Sequence, residues 1–353
     1  MESASENRLF VGTYTKTSSR GIYTSRLDLA SGALSPPELA VATSTPTFLA
    51  FGAGEKFLYA VQDSPAIAAA FAVDATRGRL EPLAPPPPEH ATAPCHVAVD
   101  RTGRVLLVTN FHTGVIAAMP ILAGGGLGTP ALVQHRGRGP HPTRQATAHP
   151  HSSTYSPDNR FALVCDLGLD RIYSYHLDVA RPALAAAEPP YVEVAPGSGP
   201  RHFTFGPDGR RAYVINEIAS TIVAFDYDPA RGSLAPRQTI STLPAGFTGT
   251  SSAAEIRIHP QGRFLYGSNR GHDSLASFVI DPVTGGLSPL ETVPCGGRGP
   301  RHFAFSPDGN WLVCAHQESD SLTSFRVDAA TGRLTPTGHS ISVGTPVCVL
   351  FVG

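Results

Sequence analysis

Gly199-Pro-Arg-His-Phe-Thr-Phe-Gly-Pro-Asp-Gly209 returns one hundred residues later as Gly299-Pro-Arg-His-Phe-Ala-Phe-Ser-Pro-Asp-Gly309. Weaker copies precede and separate the two. A chain that repeats at such a period builds its fold from one supersecondary unit. The anchors align at Pro46, Pro94, Pro150, Pro200, Ala253, Pro300 and Pro346, which are 46 to 56 residues apart. Each copy reads as a short apolar strand, a tight turn, a second apolar strand and a polar-led third strand. The turns are Ala53-Gly-Glu-Lys56, Arg101-Thr-Gly-Arg104, Pro157-Asp-Asn-Arg160, Pro207-Asp-Gly-Arg210, Pro260-Gln-Gly-Arg263 and Pro307-Asp-Gly-Asn310. Gly or Asn stands where a hairpin wants positive φ, and Pro presets the turn. Arg211-Ala-Tyr-Val-Ile215 and Ser220-Thr-Ile-Val-Ala-Phe225 exemplify the strands that follow.

Four-stranded units at this period spell an all-β fold, the β-propeller. The chain ends set the blade number. Pro346-Val-Cys-Val-Leu-Phe351 is a lone first strand, whereas Arg8-Leu-Phe-Val-Gly-Thr13 matches a second strand and Gly21–Asp28 a third. Pairing the termini in one composite blade gives seven blades in a single domain over residues 1–353 and leaves no open edge. The Pro85–Pro88 run reads as an exposed loop between blades.

Composition narrows the partners. A formal net charge of −1 offers nothing to nucleic acid or an anionic membrane, and Lys16 and Lys56 are the only lysines, which disfavours Schiff-base chemistry. Five scattered cysteines show no metal-like pairing and read as reduced thiols. Met1-Glu-Ser-Ala-Ser-Glu-Asn7 lacks a basic start and an apolar stretch, so the expectation is a cytoplasmic protein acting as a monomer or weak homo-oligomer.

Hairpin topology locates a site. The start of each first strand and the end of each second strand share one edge, at the mouth of the central channel. Arg201 should meet Glu217 there, Arg301 and His302 should face Gln317, His151 should face Asp166, and His96 should face Asn110. Glu255 takes the His slot in the blade closed by Asn269-Arg270-Gly271-His272. Recurrent Asp158, Asp208 and Asp308, and Asp28, Asp74, Asp178, Asp226, Asp281 and Asp328 after third strands, read as turn-formers. Residues that break the repeat carry more functional weight: Glu217, Arg270, and Arg144 with the His149-Pro-His151 segment. His149 and His151 alone make a poor metal site.

Several of these segments also carry a family likeness. Gly12-Thr-Tyr-Thr15, Pro94-Cys-His-Val97, His149-Pro-His-Ser152, Asp166-Leu-Gly168, Gly199-Pro-Arg-His202, Asn216-Glu217, Ala254-Glu-Ile256 and Ser268-Asn-Arg-Gly-His-Asp273 together resemble the seven-bladed propeller lactonases. That family includes cycloisomerase-2-type 6-phosphogluconolactonases and fungal carboxy-cis,cis-muconate cyclases. The resemblance implies a catalytic set of a His, two Arg and a Glu, matched here by His149 or His151, Arg201, Arg270 and Glu217. Arg144, His96, Glu255, His302, Arg301 and Gln317 are then substrate-binding candidates. It implies no metal or cofactor, and a small anionic lactone as substrate, with 6-phosphogluconolactone leading. Two departures stand out: Gln62-Asp63 for Asn-Glu, and Phe111 for Tyr, both expected away from the site.

Lactone hydrolysis needs a base to deliver water and cations to hold the oxyanion. Glu217 or a histidine can be the base, and the arginines can grip an oxyanion, phosphate or carboxylate. A lactonising muconate cyclase demands the same side chains. A non-catalytic binding scaffold is the remaining alternative, disfavoured by the Arg/His/Glu ring.

Overall fold

In the computed structural model, which describes residues 5–62, 68–84 and 94–353, seven four-stranded antiparallel sheets form a closed ring. Pro85–Pro88, Asp63 and Met1–Ala4 lie outside the described residues. We number the blades 1 to 7 and their strands A to D outward from the channel. Blade 1 is the composite: strand A is Pro346–Phe351 from the C-terminus, and strands B to D are Glu6–Thr13, Gly21–Asp28 and Glu38–Ala42. Leu9 pairs with Phe351 and Val11 with Val349, closing the ring. Blade 5 shows the full unit with Pro200–Phe205, Arg211–Asn216, Thr221–Asp228 and Ser233–Ser241.

The core lies between adjacent blades. Leu163 and Cys165 of blade 4 pack with Ala212, Val214 and Phe225 of blade 5 in one dry layer. Strand B residues are buried on both faces, which is why these strands read as continuous apolar runs rather than alternating ones.

Turn chemistry follows the repeat. The Asp158, Asp208 and Asp308 carboxylates accept backbone N–H groups two residues on. Asp28, Asp178, Asp281 and Asp328 do the same in the C–D turns, and Asp74 accepts the N–H of Arg77, three residues on. Asp226 does not. It still lies in strand C and pairs with Arg211 and Arg237, while Asp228 accepts the Ala230 N–H in the turn. The strand runs further than its apolar pattern because residues 226–228 keep the ladder with strand D.

A second aspartate staples blades 4, 6 and 7 to the blades that follow them. Asp170, with φ +55°, accepts the N–H of Gly199 at 2.7 Å, and Asp273, with φ +54°, accepts that of Gly299 at 2.8 Å. Asp320, with φ +51°, accepts that of Thr345 at 2.6 Å. The bond fixes the chain just before the next strand A enters the channel wall. Gly199 and Gly299 themselves sit at φ +67°, where a side chain is strained.

Deleting residues 346–353 removes the innermost strand of blade 1 and reopens the ring. The truncated chain is expected to lose its cooperative thermal transition, as read by circular dichroism, rather than show a modest drop in Tm.

Candidate active site

Strand A carries the site through a recurring irregularity. In blades 3, 4, 5 and 7 the A–B register slips by one residue directly after the anchor proline. The bulged residues are Cys95, His151, Arg201 and Arg301. Blade 1 slips at the same place, leaving Val347 as the extra residue. A bulge frees a residue from the ladder and re-aims its side chain. All five line one cavity of about 520 Å³ at the channel mouth, joined by Thr47, which follows Pro46 in blade 2. Blade 6, where the slip spans Ala254 and Glu255, contributes Ser252 and Arg270 instead.

The ends of the B strands complete the wall. Pro200 pairs with Asn216, Pro94 with Asn110, Pro300 with His316 and Ala253 with Asn269, so the residue after each partner stands at the same place. Glu217, Phe111, Gln317 and Arg270 are therefore positional equivalents. Gln317, not the neighbouring Glu318, corresponds to Glu217. Phe111 lies in the pocket wall, contrary to the expectation that it stands apart.

Glu217 is the electrostatic centre. Its Oε2 receives Arg201 Nε at 2.8 Å and Arg270 Nη2 at 2.9 Å, and its Oε1 receives Arg144 Nη2. Burial alone would push its carboxyl up. The guanidiniums of Arg270, Arg201 and Arg144 outweigh this and hold it well below the usual carboxylate range. Arg201 is 2 % exposed. Burial, then Arg301 and Arg270, lowers its guanidinium to about 9, so it stays charged at neutral pH. Arg201 Nη1 also donates to the Ala254 carbonyl at 2.6 Å, and Arg270 donates to Ser252 and Ala253 carbonyls. Nη2 of Arg201 and Nη1 of Arg270 make no hydrogen bond to the described residues, so they remain available to a ligand.

His151 Nε2 lies 3.9 Å from Glu217 Oε2, beyond hydrogen-bond reach. Burial, then Arg201, His202 and Arg301, keeps its pKa well below the ordinary value, so the ring is neutral and able to accept a proton. Cys95 is no nucleophile, because burial pushes its thiol up to about 11.

A model of the family described as "Lactonase, 7-bladed beta-propeller" matches residues 8–351. The chain belongs to this lactonase family. A 6-phosphogluconolactonase of Bacillus subtilis is 36 % identical over 350 residues, covering 97 % of each chain. Another 6-phosphogluconolactonase, from Formosa agariphila, is 31 % identical across 84 % of this chain and 85 % of its own length. Among solved structures, the Pseudomonas aeruginosa periplasmic gluconolactonase PpgL superposes with a TM-score of 0.93 at 35 % identity, covering 99 % of both chains.

Beneath the pocket this lactonase holds a second polar cluster. An arginine can only donate, so His202 Nε2 accepts from Arg201 Nη1 at 3.1 Å. The His202 proton then sits on Nδ1 and is donated to Glu255 Oε2 at 3.0 Å. His302 accepts the Val349 N–H on Nδ1 at 3.2 Å, and its Nε2 lies 3.3 Å from Glu255 Oε2. Arg257 Nε reaches Glu255 Oε1 at 3.2 Å, and its Nη2 contacts His302 Nε2 at 3.1 Å. His96 stacks on Phe48 and meets the His202 ring edge-on.

The lactonase brings together Arg144, His151, Arg201, Glu217, Arg270, Arg301 and His302 on the pocket wall. Glu255 and Gln317 stand behind it, the latter bonded to Arg301 Nη1 at 3.4 Å. His96 is buried behind the mouth-lining Phe48 rather than set against Asn110, whose amide closes its own B–C turn on the Val115 carbonyl. His149 stands outside the wall: its ring stacks on Phe111 at 4.3 Å and its Nδ1 meets the Phe111 carbonyl at 2.7 Å. Asp166 does not serve His151. It is fully buried and taken by His135 Nδ1 and by the backbone N–H groups of His149, Gly168 and Leu169. Sequence reasoning passed over Thr47, Cys95 and Val347, although the residue after each anchor was a readable signal. Among the described residues no group of three or more His, Cys, Asp or Glu side chains is placed to hold a metal ion.

His96, His151 and His202 are all held neutral by burial, and His302 is lowered to about 3. The unfolded chain protonates these rings near pH 6.5 and the folded chain does not. Stability is therefore full above about pH 7 and lost as pH falls, at about 1.4 kcal/mol per ring for each pH unit between the two pKa values. Calorimetric Tm is expected to decline steadily from pH 7 to pH 4.5.

Proposed function

We propose that this lactonase hydrolyses a small anionic sugar lactone, 6-phosphogluconolactone foremost, to the open-chain acid. The charge of the pocket carries this reading. Lys16, Arg144, Arg201, Arg270 and Arg301 line it, against Glu217 as the one carboxylate among the described lining residues. Such a surplus of cations in a concave site favours a substrate bearing phosphate or carboxylate. The 6-phosphogluconolactonase of Bacillus subtilis, alike over nearly the full chain, supports the choice of substrate.

In the proposed reaction, water attacks the lactone carbonyl while His151 Nε2 takes its proton. The tetrahedral oxyanion is received by the spare donors of Arg201 and Arg270. The ring oxygen then leaves with the proton returned from His151, so one water is consumed and one C–O bond is broken. Glu217 holds the two guanidiniums in register. Both of its oxygens are taken by guanidiniums, whereas His151 Nε2 makes no hydrogen bond to the described residues, which favours His151 as the base. The uncharged side of the pocket, formed by Thr47, Phe48, Cys95, Phe111 and Val347, leaves room for the body of the sugar.

Purified protein is to be assayed on 6-phosphogluconolactone, glucono-δ-lactone and a carboxymuconate, with and without chelator. The expected result is lactone hydrolysis indifferent to chelator, with kcat/KM highest for the phosphorylated substrate. Cyclisation of the muconate without lactone hydrolysis would replace this reading, and absence of every activity would leave a binding scaffold. Arg201→Ala is expected to lower kcat/KM by about 10²-fold or more. Asp308→Ala, in a C-terminal hairpin turn, should lower Tm while kcat stays near that of the parent.

A further inference from the structure

Five cations line the pocket, but they fall into two groups. Arg144, Arg201 and Arg270 all close on Glu217. Arg301 and Lys16 have no carboxylate partner among the described residues. Arg301 bonds only the neutral Gln317 amide oxygen, at 3.4 Å, and its guanidinium lies 5.7 Å from the Tyr14 ring centroid. Lys16 Nζ lies 4.7 Å from the centroid of the same ring. Two like charges thus share one aromatic ring at the rim. A ring quadrupole attracts a cation weakly and cannot neutralise either charge. An anion placed between them removes their mutual repulsion and gains charge-assisted hydrogen bonds from both.

We propose that Arg301 and Lys16, set around Tyr14, form the subsite for the substrate's phosphate, leaving the Glu217-centred arginines to the lactone carbonyl. This assignment rests on the lactonase reading above and divides the pocket into a recognition end and a reacting end. The two positions suit those tasks. Arg301 is the bulged residue of blade 7, so its backbone is held by the sheet. Lys16 lies on the exposed B–C turn of blade 1, where it can close over a bound group. A phosphate carries charge and three acceptor oxygens, enough for a guanidinium fork and an ammonium together.

The two ends are also coupled. The charge of Arg301 is among those that depress His151, Arg201 and Arg270. A phosphate on Arg301 offsets that field and raises the proton affinity of His151. A phosphorylated lactone then improves the base as well as its own binding.

The test uses Arg301→Gln, Lys16→Gln and the double variant, each with Tm checked against the parent. Two readouts are taken: kcat/KM on 6-phosphogluconolactone relative to glucono-δ-lactone, and calorimetric binding of 6-phosphogluconate relative to gluconate. Loss of a charge-assisted contact costs about 10- to 100-fold. The expected result is a fall of that size in the preference for the phosphorylated member in both readouts, largest in the double variant. Parent protein that shows no preference for phosphorylated ligand overturns the assignment. So does a preference that survives the double substitution. If neither lactone is hydrolysed, the lactonase reading fails, while the binding arm still decides the subsite on its own.

Discussion

A single carboxylate holds the reacting end of this protein together. Glu217 is almost wholly buried and receives guanidinium groups from three separate segments: Arg201 of its own blade, Arg270 of the next, and Arg144 from the loop before blade 4. Three guanidiniums crowded together would repel strongly at low dielectric, and a buried carboxylate without partners would protonate. Each side makes the other tolerable. The net charge of the assembly is left positive. Removing Glu217 therefore does more than delete a contact, because it leaves buried charges uncompensated.

The arrangement is possible because the propeller delivers one side chain per blade to the same ring. The bulge after each anchor proline turns Val347, Cys95, His151, Arg201 and Arg301 inward at equivalent heights. Hydrogen bonds accepted by Asp170, Asp273 and Asp320 hold the segments that lead into three of these bulges, at Arg201, Arg301 and Val347. Frame and site are thereby separable. The recurring residues build the blade, and the bulged position varies freely among Val, Cys, His and Arg without disturbing it.

That separation explains what the sequence made legible. The blade number and the composite closure followed from Pro346–Phe351 having no following strand and Arg8–Thr13 having no preceding one. Glu217 and Arg270 were visible because they break the repeat, and Arg201 because topology places it opposite Glu217. His149 and His151 were not separable by pattern, since both flank Pro150. Only the bulge, which frees residue 151 and leaves 149 stacked on Phe111, distinguishes them. Asp166 and Asp226 went astray for a related reason. A carboxylate at a strand end has several backbone and side-chain donors in reach, and three-dimensional packing chooses among them.

The cluster under the pocket shows how far the positioning extends. Glu255 Oε2 accepts from His202 Nδ1 and lies 3.3 Å from His302 Nε2, and its Oε1 forms an ion pair with Arg257. Because Glu255 Oε2 can only accept, His202 carries its proton on Nδ1, and the lone pair it offers Arg201 is on Nε2. Arg201 is then gripped from both sides, with Nε on Glu217 and Nη1 on His202 and Ala254. A long, flexible side chain has become a rigid donor whose orientation is set by Glu217, His202 and the Ala254 carbonyl. The strand that completes blade 1 also bonds the cluster under the pocket, through the Val349 N–H to His302 Nδ1.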